Sequence, residues 1–382
     1  MSSIQNLPPN SHLIIVWNKG RQILNEVDTY LNSNFSVFFR IEVKWSDDLA
    51  HKNMSRFYGK KLPDIAKKVE HCGIGPFVVY IINDTTPNWA LEMTTSGVQR
   101  VNRNIFDIKK MFRQKLGGGH RIHATNNLAE TVRDVALLFG PDLPTTAESP
   151  IIQMDLIGAH GWKSLDEVFL ILNYCTPYVL LRNFEKLPYH FESHEHGDID
   201  LLCNDHIEVR QLLNAHPVFE QKYRRYHMIQ VGDREIPFDI RDVKEGYYCN
   251  SWSHDLIARR NLSRGIFIPD HNDHLYSLAY HALVHKRVIA PDYMTRLLEI
   301  FKEDDTRNPV SADFGYLLLK LKSFMRKKGY KFVRPRDWSV FFNYTNIPEV
   351  SFPYRPFLTD PPRTYKHLKR ELKAYRRAHS KK

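Results

Sequence analysis

The chain has 382 residues, 42% of them hydrophobic and 12% aromatic, enough to bury the cores of two or three domains. The net charge is +11, and 25% charged residues is ordinary for a globular protein. No apolar run reaches the ~18 residues of a membrane span. Met1–Asn6 lacks the basic and apolar regions of a signal peptide, and Cys72, Cys175, Cys203 and Cys249 form no CxxC pair. A zinc ribbon and a disulfide framework are therefore disfavoured, and a cytoplasmic location is expected.

In chain order, His12 to Trp17 reads as a short apolar strand. Arg21 to Leu31 has helical spacing, with Ile23, Leu24, Val27 and Leu31 on one face. Phe35 to Trp45 alternates as a strand, and Phe77 to Ile82 is a buried strand closed by Asn83-Asp84. Gly117 to Gly119 forms a turn, and a helix from Glu130 to Phe139 has Asn127 as its cap. Gly140 to Pro150 has linker chemistry, which sets a first domain at 1–145.

A second domain, 151–260, opens with a helix from Ser164 to Asn173 and a strand from Tyr178 to Leu181. A loop rich in charge and histidine runs from Arg182 to His196. A strand at Asp198 to Leu202, a helix from Ile207 to Ala215 and paired strands around Tyr226–Ile229 and Ile236–Ile240 follow. The third domain, 261–345, is helical and expected to pack on the second, with apolar spacing of 3.6 over Asp273–His285 and Tyr293–Phe301 and a further helix over Phe314–Lys328. A basic tail, 346–382, ends the chain. Its charges suit a solvated tail or contact with an anionic surface or polymer. The expected fold class is α/β for the first domain and α+β for the second, with C-terminal helices.

The chemistry concentrates in His196-Gly197-Asp198-Ile199-Asp200-Leu201-Leu202 and in Ile236-Pro237-Phe238-Asp239-Ile240-Arg241. Aspartates at i and i+2 of a strand face one way. Three carboxylates on neighbouring strands repel one another, and magnesium or manganese ions relieve that repulsion while aligning a triphosphate. His281 and His285, one helical turn apart, carry a weaker zinc signal, and no acid lies between them to make an HExxH base. His190, His194 and His196 crowd the loop before the acidic strand. A better role for His281, His285, Lys286 and Arg287 is to face the acidic cleft and contact phosphate, with Arg259 and Arg260 able to do the same.

Two resemblances rest on these residues. Strand, helix and strand from Leu13 to Trp45, then Gly75-Pro76-Phe77-Val78-Val79, then Arg121 to Phe139, resemble the nucleoside diphosphate kinase family over residues 12 to 140. The resemblance implies a ferredoxin-like sandwich. It places the phosphorylated histidine at His123, its acidic orienter at Asp134, a small hydroxyl residue at Thr125 and the active-site tyrosine at Tyr58. Arg113 and Lys115 would supply cations.

Tyr178 to about Phe301 resembles the polymerase-β-like nucleotidyltransferase superfamily, in the branch with Leu181-Arg182-Asn183 and then Gly197-Asp198-Ile199-Asp200-Leu201-Leu202. This implies a mixed sheet with metal-binding roles for Asp198, Asp200 and Asp239. Arg182, Asn183, Gly197 and Arg241 would contact the nucleotide. The expected activity is magnesium-dependent nucleotidyl or phosphoryl transfer from a nucleoside triphosphate to a small-molecule or glycan acceptor, such as a phosphosugar or polyol phosphate of surface-glycan synthesis. A catalytically silent nucleotide-binding module and a phosphohistidine kinase are the alternatives.

Overall fold

The computed structural model describes residues 3–59, 64–94, 97–144, 151–192, 197–220, 223–289, 291–304 and 314–351. It also describes 369, 371–373 and 375–376, and no side chains at 292 and 302–304. His194, His196 and most of the basic tail lie outside these residues. The chain is mixed α/β, with two five-stranded mixed sheets. It divides into two compact units, Met1–Cys175 with Gln211–Asn214, and Thr176–Arg210 with Ala215–Lys382.

In the first unit, β1 (Ser11–Val16), β2 (Ser36–Lys44), β3 (Phe77–Asn83), β6 (Ile122–Ala124) and β7 (Ile152–Gln153) form one sheet in the order β6-β1-β3-β2-β7. The first four pair antiparallel throughout, and β7 adds in parallel at the β2 edge. β1 (SHLIIV) and β3 (FVVYIIN) are central and buried nearly end to end, which explains their unbroken apolar runs. Helices Leu24–Asn34 and Arg103–Lys115 pack Val27, Leu31, Ile105, Ile108 and Phe112 against Ile14, Val16, Val78 and Tyr80. Asn127 caps helix Leu128–Phe139 by accepting from the Glu130 amide at 3.0 Å. A hairpin of β4 (Trp89–Thr94) and β5 (Gly97–Asn102) stands as its own two-stranded sheet. Helix Leu165–Cys175, expected to open the second domain, belongs to this first unit, so the division falls after Cys175 and not at 145–151.

In the second unit, β8 (Tyr178–Leu180), β9 (Ile199–Cys203), β10 (His216–Pro217), β11 (Tyr226–Val231) and β12 (Arg234–Asp242) give the order β10-β11-β12-β9-β8. β9 and β12 pair in parallel, and every other neighbour is antiparallel. Pro237 sits inside β12 without breaking it, because β9 pairs only from Phe238 onward. A minor hairpin joins β13 (Asn261–Ser263) and β14 (Ile266–Ile268).

The helices of segment 261–345 pack against the rest of the second unit. Leu275, Leu283, Leu317 and Leu321, from helices His271–Val284 and Phe314–Lys328, share one core with Val179, Leu202 and Trp252. A sheet face of this size needs a cover, and these helices provide it. No helix among the described residues is long and apolar enough to cross a membrane.

Candidate metal centre

The parallel pairing of β9 with β12 builds the site. It sets Asp200 directly beside Asp239, so both side chains share a face of the sheet. Asp198 lies one residue ahead of β9, two before Asp200, and joins the same face. Gly197 precedes it with φ +74°, a conformation that favours glycine, and so turns the chain into the strand. One ligand atom from each of the three aspartates lies within 4.8 Å of the others. Among the described residues this is the one group of three or more metal-ligating side chains. It lines a cleft of about 730 Å³.

Arg182 and Arg241 line the same cleft, where each is engaged with one of its carboxylates. Arg182 Nη2 donates to Asp200 Oδ1, and its Nη1 donates to the Tyr247 hydroxyl at 3.2 Å. Arg241 donates to Asp239 Oδ2 from Nε at 2.9 Å and Nη2 at 2.7 Å. Its Nη1 reaches Glu245 at 3.1 Å and Asp337 at 2.9 Å. Both arginines are buried, and these donors hold the carboxylates in place.

Each clamp occupies only one oxygen. Among the described residues, Asp200 Oδ2 and Asp239 Oδ1 are buried with no hydrogen-bond partner. Buried carboxylate oxygens without donors are costly, and an all-oxygen donor set suits a hard cation such as magnesium or manganese. The electrostatics agree. Burial and the neighbouring Asp239 charge push the Asp198 carboxyl up to about 6. Burial, with Asp198 and Asp239 alongside, holds Asp200 well above the usual carboxylate range despite Arg182. Without a cation, Asp198 and Asp200 hold protons more readily than free carboxyls do.

The cleft rim is cationic. Lys286 and Arg287 are exposed there and carry no ion pair among the described residues, and Arg224 lies 3.8 Å over the Phe219 ring. Asn183 also lines the cleft, with its Oδ1 accepting from Arg296 at 2.9 Å. His281 and His285 reach the cleft wall, but burial lowers both well below the usual histidine value, which keeps them neutral. His281 Nδ1 meets the Tyr247 hydroxyl at 2.7 Å, and neither ring nitrogen of His285 has a partner. Among the described residues neither belongs to a metal-ligating cluster. Arg259 is engaged with Asp273 at 2.9 Å, and Arg260 stacks 4.5 Å over Phe267, so neither serves the acidic cleft. His190 is exposed and lines no part of it.

Tyr247, Glu245 and Asp337 complete the clamp and were not legible beforehand. Glu245 had a faint signal, four residues after Arg241. Asp337 had none, since it comes from an irregular segment 96 residues away.

The first unit holds a separate constellation. The His123 ring sits on β6, and its Nε2 meets Asp134 Oδ2 at 2.9 Å. Asp134 also accepts from Arg133 Nη1 at 2.7 Å, which fixes its orientation. Nδ1 has no hydrogen-bond partner among the described residues. Burial lowers the ring's pKa, so the imidazole is neutral. Tyr58 lies edge-on at 5.5 Å, and its hydroxyl accepts from Trp17 Nε1 at 3.1 Å. Thr125, expected beside the histidine, is instead buried in a hydroxyl pair with Thr131 at 2.8 Å.

Three cations surround this area. Lys68 lies 4.0 Å over the Tyr58 ring, Arg113 Nε donates to the Ile122 carbonyl at 2.9 Å, and Lys109 donates to the Ala124 carbonyl at 3.2 Å. Burial lowers Lys68 and Lys109 each to about 8. Lys115, expected as a partner, pairs with Glu26. Lys68 and Lys109 were not anticipated, because single lysines on helices carry no sequence signal. The chain as a whole matches no protein-family model and is significantly similar to no curated protein sequence.

Proposed function

We propose that the second unit is a divalent-metal-dependent nucleotidyl- or phosphoryltransferase of polymerase-β-like type. The observation that carries this reading is the trio Asp198, Asp200 and Asp239, with two buried oxygens left without donors in a cleft rimmed by cations. The parallel β9–β12 pair, flanked antiparallel by β8 and β11, supports it. A bound magnesium or manganese ion would offset the acidic charge and align phosphates for in-line displacement. Arg182 and Arg241 keep two of the acids from swinging, which preorganises the centre. Asp198 is the least buried of the three and the one to take the proton of an acceptor hydroxyl. Arg224, on the cleft rim, faces the phosphates of a nucleoside triphosphate, whose acceptor is a small molecule such as a phosphosugar or polyol phosphate.

Titration calorimetry with Mn²⁺, then with nucleoside triphosphates, tests the reading. Metal should bind the wild type, and nucleotide should bind better with metal than without. A folded protein that takes up no Mn²⁺ at millimolar concentration sinks it.

A second reading concerns the first unit, as a nucleoside-diphosphate-kinase-like, ferredoxin-like module. The antiparallel order β6-β1-β3-β2, with helices after β1 and β3, supports it. So does the His123–Asp134 pair with a free Nδ1. Incubation with labelled ATP should give an acid-labile, base-stable phosphate that His123→Ala loses.

A further inference from the structure

A second cavity, of about 630 Å³, shares Lys286, Arg287 and Phe341 with the acidic cleft. Its described lining contains three cations, Lys286, Arg287 and Lys373, and no carboxylate. Met294, Phe314 and Phe341 give it an apolar side.

Lys373 comes from the C-terminal segment, and it is held there by burial two residues earlier. Glu371 is 0% exposed. Its carboxylate accepts from Arg334 Nη2 at 2.9 Å and Nε at 3.3 Å, and from the Phe342 amide at 3.0 Å. The Tyr375 ring lies 5.5 Å from Tyr344 on the same anchor. This stretch within the basic tail is thus anchored, and Lys373 contributes its charge to a definite wall. Among the described residues no hydrogen bond or ion pair joins any of the three cations to a carboxylate, although the charges of Asp200, Asp198 and Asp239 act on Lys286 from the neighbouring cleft.

We propose that this second cavity binds a phosphate monoester bearing an apolar group. The phosphate sits among Lys286, Arg287 and Lys373, and the apolar group lies against Met294, Phe314 and Phe341. Charge and shape argue together: unpaired cations recognise the anion, and the apolar lining rewards a ligand with more than a bare phosphate. The proposal rests on the transfer reading only in making this ligand the second substrate. The binding itself needs no metal.

The test is calorimetric titration of the full chain with hexyl phosphate in EDTA, so that metal chemistry plays no part. Hexyl phosphate should bind, and inorganic phosphate and hexanol should each bind at least about tenfold more weakly. The triple variant Lys286→Gln, Arg287→Gln, Lys373→Gln should weaken hexyl phosphate at least about tenfold while its urea unfolding midpoint stays that of the wild type. Lys373→Gln alone, an exposed change that leaves folding intact, should weaken it at least about threefold. Hexyl phosphate binding unchanged in these variants overturns the assignment. Inorganic phosphate binding as tightly as hexyl phosphate overturns its apolar half. Binding of phosphatidylglycerol vesicles that the triple variant loses, with no affinity for hexyl phosphate, assigns the cations to a membrane surface and also overturns it. Loss of Mn²⁺ binding in the wild type would defeat the transfer reading and leave this result standing.

Discussion

Replacing Lys68 by methionine should stabilise the first unit. Lys68 is only 4% exposed and lies over the Tyr58 ring with no carboxylate partner among the described residues. Burial, then the nearby Arg113 charge, lowers its pKa from 10.5 to about 8. At ~1.36 kcal/mol per pH unit, the charged form carries a penalty of up to ~3 kcal/mol. The sign follows from proton binding. Between about 8 and 10.5 the unfolded chain holds the proton more tightly than the folded one, so stability rises with pH across that window. Below it the penalty is fully present. Methionine keeps the stem's packing and removes the charge, but it forfeits a cation–π contact of ~0.5–1 kcal/mol. The net gain at pH 7 is then ~2 kcal/mol, shrinking below ~1 kcal/mol by pH 10. Urea unfolding at both pH values measures it. Adding ATP should narrow the gap, because the anion stabilises only the protein that keeps its cation. A variant less stable than wild type at pH 7 without added anion refutes the reasoning. It would mean that the ammonium is satisfied in place.

Four further outcomes are expected. Thermal-shift measurements should show ~2.7 kcal/mol of stabilisation by Mn²⁺ at a hundredfold excess over its Kd, and Asp239→Asn should lose most of it. Asp198→Asn should abolish transfer yet raise stability in metal-free buffer above pH 6. The wild-type carboxyl, at about 6, makes stability fall as pH rises from the ordinary 3.8 through that value, and an amide does not. Arg182→Met should cost ~3 kcal/mol in chemical denaturation by leaving Asp200 buried and unpaired, and adding Asp200→Asn should recover most of it. His123→Ala should leave the metal-dependent transfer rate within about tenfold, ~1.4 kcal/mol of barrier, and a complete loss with metal binding intact would place the histidine on the reaction path.

The strands that carry the site were the easiest part to read. Ile199–Cys203 and Arg234–Asp242 announce themselves because acids interrupt apolar runs at strand spacing. Their parallel register, which sets Asp200 against Asp239, follows from sheet order and has no local signature. The roles of Arg182 and Arg241 were not legible either. An arginine after a strand reads the same whether it will hold a phosphate or a carboxylate, and only the buried partner decides. The β4–β5 hairpin was missed because Leu91, Met93 and Val98 are exposed, so alternation there marks no core. For the segment 261–345, helical periodicity shows which face is apolar, but the residues that cover it, Val179, Leu202 and Trp252 among them, have no signature in that segment.

The parallel pairing of β9 with β12 also has a kinetic consequence. Antiparallel neighbours can close through a hairpin, as β11 and β12 do, but parallel strands must wait for a crossover. Asp200 and Asp239 therefore meet through a long-range contact, of the kind that forms late and slowly. A cation held by both acids has no binding site until that contact exists. It stabilises the native state without stabilising the barrier that precedes it, so removing it should speed unfolding and leave refolding unchanged.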